Sequence, residues 1–192
     1  MVDTYSLLRL LTSPIVAITS LRGDEENGMI ANSAARASLS PDKPRVSMYV
    51  HKFNYSHDMI FDSGRFVLHI LGTEDLETVY ALGFRSLKHG TKLGAVPSRP
   101  GELGLPVLTN CFCYFECEVV NVMDTGGSTL FLGAVRNAGK GNRESVLTPE
   151  VLREAMPEER KRQYLENLAR AQRFASERAD DVQPVVWRGL QR

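Results

Sequence analysis

The chain has 192 residues, enough for one domain with a full hydrophobic core and a small appendage. Lys plus Arg and Asp plus Glu both number 23, so the formal net charge is zero. This balance provides no broad positive field, and we expect neither nucleic acid nor a membrane as a partner. No run reaches the ~20 apolar residues of a membrane-spanning helix.

The N-terminal segment lacks the pattern of a secretory signal. Asp3 is acidic and Arg9 lies inside the apolar part, whereas a signal carries its positive charge before the apolar run. A cytoplasmic protein is therefore expected. The same segment predicts a short helix over Thr4–Leu11, which ends before Ser13-Pro14.

The following segments alternate between β-rich runs and polar turns. PIVAITSLR is a β-rich run, and the polar sequence GDEENG predicts a turn after it. A second strand is expected from Met29, and the alternating run Arg45–His51 predicts a third.

A short helix, a strand, a second helix and a loop are expected next. The sequence YSHDMIFDSG predicts a helix that ends at Gly64, and a strand follows over Arg65–Leu71. EDLETVYALGF has helical periodicity. The segment 85–109 is rich in Gly, Pro and basic residues and is expected to be mostly loop.

Two long apolar runs, CFCYFECEVVNVMD and STLFLGAVRNAG, are joined by TGG and predict a β-hairpin. With six or more strands and few helices, the chain is expected to be mainly β with peripheral helices, an α+β protein built on a closed or half-closed β-barrel.

Residues 142–192 differ in character from residues 1–141 and are expected to form a helical extension. Thr148-Pro149 and Pro157 predict two helix starts. Residues 140–181 hold nine Lys or Arg and nine Asp or Glu, which is typical of a mixed-charge face. A narrow apolar stripe should pack on the barrel or on a partner chain, and it comprises Tyr164, Leu165, Leu168, Ala171 or Gln172, and Ala175. The tail VQPVVWRGL could add a final strand.

The three cysteines are Cys111, Cys113 and Cys117. Their odd number argues against a disulfide framework, and strand alternation would place all three on one side. The spacing is poor for zinc and no His lies nearby, so buried thiols that act as small hydrophobic groups are expected and no metal site is.

Two segments have residues suited to binding a phosphorylated planar ligand. The first runs from Gly28 to Pro44 and combines small residues, which allow close approach to the backbone, with the hydroxyls of Ser33, Ser38 and Ser40. An ordinary strand and bend explains this composition equally simply.

The second segment is HKFNYSHDMI, in which Asn54, Tyr55 and Ser56 precede or open a helix. A helix N-terminus with hydroxyl and amide donors suits an anion, and Lys52 lies close by in the sequence. A plain helix N-cap is the alternative explanation.

Taken in order, GMIANSAARASLSPDKPRVSMYV, NYSHDMI and SGRFVLHIL resemble the flavin reductase-like family of FMN-binding split β-barrels. The resemblance covers about residues 13–136. It implies bound FMN, with FAD as an alternative, NAD(P)H as a co-substrate, and a homodimer with the flavin near the subunit interface. The residues implied to bind the cofactor are Asn32, Ser33, Ala34, Ser38, Leu39, Ser40, Lys52, Asn54, Tyr55 and Ser56.

The chain departs from the family pattern where a nicotinamide would bind. Members that use a nicotinamide often have Gly-Asp-His before the last long strand, and here the last two positions are Gly127 and Ser128. His69 replaces the usual Asn of the strand after the short helix and is either a compensating group or a strand His with a local partner. His57 either helps the phosphate site or is a solvated helix-start residue, and His89 lies in a basic loop.

Three functions are open from the sequence. The first is an NAD(P)H-dependent flavin reductase, in which the flavin supplies the redox chemistry and no catalytic side chain is required. The second is a flavoredoxin-like carrier that retains FMN and takes electrons from a partner protein. The third is a flavin-binding protein without turnover.

Overall fold

The computed structural model describes residues 7–8, 10–84 and 92–187. Nine strands and four α-helices lie in these ranges. The strands are β1 (Val16–Arg22), β2 (Glu25–Ala31), β3 (Ala34–Arg36), β4 (Arg45–His51), β5 (Arg65–Ile70), β6 (Ser98–Pro100), β7 (Pro106–Leu108), β8 (Cys113–Asp124) and β9 (Ser128–Lys140). The helices are α1 (Tyr55–Ser63), α2 (Leu76–Gly83), α3 (Pro149–Ala155) and α4 (Glu158–Ser176).

Seven strands form one antiparallel sheet in the order β2-β1-β5-β8-β9-β4-β3. Laid flat, its two edge strands would lie roughly 29 Å apart, at about 4.8 Å for each strand spacing. Only Asn32 and Ser33 connect edge strand β2 to edge strand β3, and such a link reaches about 11 Å at most. The sheet must therefore curl until its edges nearly meet, which produces a split barrel with Asn32 and Ser33 at the seam.

Side chains from alternate strand positions fill the barrel. Val16, Ile18, Met48, Phe66 and Phe131 are among its buried core residues. A second cluster lies on the other side of β1, where Ile15 and Ala17 pack with residues of α2. Strand β1 is thus buried on both faces at its start, which explains why Val16–Ile18 are all apolar instead of alternating.

At two positions the structure favours glycine, one because of its backbone conformation and one because a neighbouring side chain leaves no space. Gly64 ends α1 in the left-handed region at φ 66°, as the sequence predicts. At Gly133 in β9 an added Cβ would lie 2.6 Å from Cζ of Phe66, so the large aromatic ring occupies the space that a side chain would need.

Several predicted elements match the structure closely. Strand β4 covers the same residues, Arg45–His51, that alternation predicts, and the long hairpin β8–β9 is confirmed. Helix α3 begins after Thr148, whose hydroxyl accepts a hydrogen bond from Val151 N, and α4 begins after Pro157.

Other predictions are wrong or incomplete. Strand β2 begins at Glu25 and not at Met29, because the polar residues pair with β1 at the edge of the sheet. Residues 182–187 of the tail form no strand, and Val185 and Trp187 pack against the barrel core instead. The segment expected to be loop contains the small hairpin of β6 and β7. Half of the predicted first helix, residues 4–6 and 9, lies outside the described residues.

The apolar stripe on α4 is only partly packed. Tyr164 and Leu165 are exposed, whereas Leu168, Ala171 and Ala175 are half-buried. The helix contacts the rest of the protein through other side chains too: the guanidinium of Arg160 lies over the ring of Tyr80 in α2.

The cysteines are free thiols, but they do not share one side. Cys111 precedes β8 and packs outside the barrel, whereas Cys117 lies in the barrel core, because alternation applies only from Cys113 onward. Burial raises the pKa of Cys111 to about 11 and that of Cys117 to about 12. In the part of the chain that the structure describes, no three His, Cys, Asp or Glu side chains cluster as metal ligands. Among the same residues, no helix has the length and hydropathy needed to cross a membrane.

Candidate functional site

The seam of the barrel presents the first three predicted site residues. Ser13 N donates to Asn32 O over 3.0 Å, and Ser13 Oγ accepts from Ala34 N at 3.3 Å. The hydroxyl of Ser33 donates to Tyr49 O on β4 at 3.0 Å. These bonds fix the backbone and leave the Asn32 side chain exposed at the surface.

Strand β4 connects the seam to the second predicted segment. Because β3 pairs with β4 through Ala34 and Met48, Asn32 and Ser33 lie beside the C-terminal end of β4. That end continues directly into residues 52–54 and the start of α1. The structure therefore brings together two segments that are about twenty residues apart in the sequence.

The third group, Ser38, Leu39 and Ser40, lies at the opposite end of β3. Ser40 N donates to Ser38 Oγ at 3.1 Å, which holds a bend in an otherwise exposed loop. Leu39 is 84% exposed, which is unusual for a large apolar side chain. Three β3 residues separate this loop from the seam, about 10 Å along the strand.

The start of α1 is only partly available to a ligand. Asn54 is the N-cap residue, but its side chain makes no capping hydrogen bond. Ser56 is 1% exposed, and its hydroxyl accepts a bond from Asn27 Nδ2 at 2.8 Å, so its side chain faces the interior. Tyr55 lies at the surface with the guanidinium of Arg22 over its ring.

Lys52 is held by an acidic partner that sequence inspection missed. Its Nζ lies 2.8 Å from Asp124 Oδ1 at the end of β8. Burial opposes ionisation of Asp124, but the bonds from Lys52 and from Gly126 N outweigh it and lower the pKa of this carboxyl. Asp124 therefore stays charged and neutralises part of the positive charge expected at this site.

His51 is a further residue that the sequence analysis did not single out. The strand register pairs it with Ser128, and its Nδ1 lies 2.9 Å from Ser128 Oγ. Its ring stacks on Phe53, with ring centroids 5.5 Å apart. Loss of water around the ring lowers the pKa of His51, so the imidazole is neutral at physiological pH. Only the register reveals this pair, because 77 residues separate its members.

The other histidines have structural partners. His69 is fully buried; its Nδ1 lies 3.2 Å from Ala17 O, and its Nε2 accepts from Leu108 N at 3.0 Å. It is a strand residue with local partners and not a group that compensates at the site. His57 is also buried, with its nitrogens 2.8 Å from Asp58 and 2.8 Å from Thr129, so it is not a solvated helix-start residue. His89 lies outside the described residues.

A cavity of about 500 Å³ adjoins Lys52. His57, Asp124, Thr129 and the tail residue Val185 contribute to its wall. Because acidic and basic groups both line it, the cavity has no strong preference for either sign of charge.

Several known proteins are similar to this chain in sequence or in structure. A model of the flavin reductase like domain matches residues 8–149. A high molecular weight rubredoxin of Moorella thermoacetica is 30% identical over 138 residues, which is 71% of this chain and 59% of that protein. An NADH-dependent flavin reductase of Pseudomonas fluorescens is 30% identical over 115 residues, covering 60% of this chain and 64% of its own length.

The fold also has solved counterparts. The structure of a nitrilotriacetate monooxygenase component B homolog from Mycobacterium thermoresistibile aligns with a TM-score of 0.65 at 25% identity, covering 74% of this chain and 79% of that one. The chain spans between 24% and 59% of the length of the first three curated relatives.

Proposed function

The chain belongs to the flavin reductase like domain family, and from this premise we propose that it binds FMN at the barrel seam and uses NAD(P)H to reduce flavin. The main support is the juxtaposition of the seam with the start of α1. Each segment alone is explained by an ordinary bend or helix cap. Together, at one end of β4, they provide amide and ammonium donors and the acceptor oxygen of Ser33.

The seam residues suit the ring or ribityl part of a flavin. Asn32 has an exposed amide, and Ala34 adds little bulk, so a flat ligand can approach the backbone. Ser33 already donates its proton to Tyr49 O, and its oxygen remains able to accept one. Ser38, Leu39 and Ser40 would extend the same bed along the outside of β3.

The start of α1 suits the phosphate. The first N–H groups of a helix have no partners within the helix and attract anions, and the amide of Asn54 is not used as a cap. Lys52 can contribute as well, because an ammonium has three donors and Asp124 receives a bond from one of them. The hydroxyl of Ser56 faces the interior, so its proposed contribution is the backbone N–H.

When bound, a flavin supplies the capacity to accept a hydride from a reduced nicotinamide. The chain itself has the task of binding and orientation. The neutral imidazole of His51, held by Ser128, lies at the β8–β9 turn where the family pattern places groups near the nicotinamide. We propose it as the polar group that faces the co-substrate there.

We further propose a homodimer that uses the outer face of β4, β8 and β9. Tyr49, Leu130 and Met123 form a cross-strand row on this face, and Tyr49 and Met123 are 45% and 50% exposed. A second copy of the chain would bury this row. The cytoplasmic location and a redox partner protein stay predictions.

A flavoredoxin-like electron carrier is the second candidate. The observation that favours it is the packing of α4 on the β8–β9 turn, where Gly127 lies against Ala175. That packing narrows the access of a nicotinamide to the turn. A carrier would receive electrons from a partner protein without needing this access.

The binding proposal is tested at Asn54. We expect Asn54→Ala to weaken FMN binding roughly tenfold, since a hydrogen bond to a charged group contributes about 1.5 kcal/mol or more. The matched control is Asn142→Ala, which removes an exposed amide that bonds to Asn110. Dissociation constants follow from the quenching of FMN fluorescence. Equal affinities of the two variants would remove the start of α1 from the site.

A further inference from the structure

The last part of the chain packs on the loop of residues 52–54, at the proposed phosphate end of the site, and on the β8–β9 turn beside it. We call residues 157–187 the C-terminal extension. It lies outside residues 8–149, the range that the family shares. The family model therefore does not describe its contacts.

The first contact is made by the last turns of α4. Phe174 meets the ring of Phe53 edge-on, with centroids 5.4 Å apart and planes at 67°. In the sequence, Phe53 lies between Lys52 and Asn54, whose side chains are proposed to bind the phosphate. The guanidinium of Arg178 lies over the ring of Phe174, with its Cζ 3.9 Å from the ring centroid.

The second contact is a backbone approach to the β8–β9 turn. A Cβ added to Gly127 would lie 2.8 Å from Ala175 Cα. At Gly126, where φ is 78°, it would collide with the carbonyl of Arg178. The end of α4 and the residues after it therefore lie directly on Gly126 and Gly127, without space for a ligand group between them and these two glycines.

The third contact fixes the tail. Val185 and Trp187 pack against the barrel core, and the Trp187 ring meets Phe61 of α1 at a centroid distance of 5.5 Å. Val185 also lines the cavity next to Lys52. The tail thus crosses from the β8–β9 turn to α1 and is anchored at both ends.

We propose that the C-terminal extension closes the phosphate end of the site and makes this chain select FMN over FAD. FMN ends at its phosphate, whereas FAD continues from the same position into a second phosphate and adenosine. Phe174 contacts Phe53 in the loop of residues 52–54, and Ala175 contacts Gly127 in the neighbouring turn, so an adenosine part on this side of the phosphate would have to displace the end of α4. The inference rests on the proposed flavin site and specifies its ligand.

The test compares FMN and FAD affinities in the full chain and in three variants. Phe174→Ala removes the aromatic contact, and deletion of residues 177–192 removes the tail. Tyr164→Ala is the matched control, because Tyr164 is an aromatic residue of the same helix that is 40% exposed. Each protein is titrated with both flavins by fluorescence, and its thermal unfolding is recorded to confirm that it is folded.

We expect the full chain and Tyr164→Ala to bind FMN at least about tenfold more tightly than FAD. In Phe174→Ala and in the truncated chain, FAD affinity should rise until the ratio is within about threefold, while FMN affinity changes less. Equal affinities in the full chain, or an unchanged ratio in both folded variants, would overturn the inference. Absence of binding of either flavin would instead refute the proposed function.

Discussion

Replacement of the buried His69 should remove much of the acid sensitivity of the fold. The His69 ring has no exposed surface, and burial lowers the pKa of His69 from 6.5 to about 4. Its two hydrogen bonds, to Ala17 O and from Leu108 N, require the neutral ring with a proton on Nδ1. The native state therefore excludes a second proton that the unfolded chain accepts.

This difference in proton binding fixes the direction and the size of the pH effect on the free energy of unfolding. Well above pH 6.5 neither the native nor the unfolded state is protonated at His69, and the residue does not lower the free energy of unfolding. As the pH falls from 6.5 towards about 4, the unfolded chain binds the proton first, so the free energy of unfolding decreases. At about 1.4 kcal/mol per pKa unit, the loss reaches roughly 2 kcal/mol by about pH 5.

Urea unfolding at about pH 7.5 and about pH 5 measures this loss. His69→Gln should show a decrease smaller by roughly 2 kcal/mol than the unaltered chain, whatever its stability at neutral pH. The comparison variant is His51→Gln: the pKa of His51 is lowered by loss of water too, but less than that of His69, so this variant should remove a smaller part of the pH dependence. If His69→Gln keeps the full pH dependence, the buried neutral ring is not its source.

Three further outcomes are expected. Gly133→Ala should destabilise the barrel by about 1–3 kcal/mol in urea unfolding, since the new methyl meets the ring of Phe66; an unchanged midpoint would contradict the packing. A thiol reagent should label half-buried Cys113 first and the other two cysteines only after unfolding; three equal rates would refute this. Asp75→Asn should cost about 2 kcal/mol, because buried Asp75 accepts from Arg143; a neutral result would show that this pair contributes nothing.

The elements that the sequence predicts correctly are those whose local pattern of apolar and turn residues matches their burial in the fold. Strand β4 alternates along its whole length, and α1 ends at a glycine in the left-handed region. The hairpin β8–β9 has two long apolar runs around a glycine turn. In these cases local periodicity and turn chemistry agree with the final packing, so one segment suffices for the prediction.

Elements whose structure depends on contacts with residues distant in the sequence cannot be predicted from a local pattern. The polar residues of Glu25–Gly28 look like a turn, yet they form an edge strand because β1 offers a pairing partner. The apolar tail resembles a strand in sequence, yet residues 182–187 form no strand, and the side chains of Val185 and Trp187 pack against the barrel core. Secondary structure at these places follows from tertiary contacts and not from local propensity.

In the site too, the local sequence predicts some features, whereas others depend on contacts between distant residues. Motif order places the candidate residues at the seam and at the start of α1, and the curled sheet brings both to one end of β4. The sequence does not reveal that Asp124 holds Lys52 or that Ser128 holds His51, because 72 and 77 residues separate these pairs. Only the register of β4 with β9 and the closing turn makes these charges and hydrogen bonds predictable.

The most direct test of the proposed function is the visible spectrum of the FMN-loaded chain before and after anaerobic addition of NADH or NADPH. We expect the absorbance of the bound oxidised flavin to bleach with at least one of the two nicotinamides. A flavin that stays oxidised with both, but is reduced by dithionite, would contradict the reductase and leave the electron carrier. A chain that binds no FMN would contradict the flavin site itself.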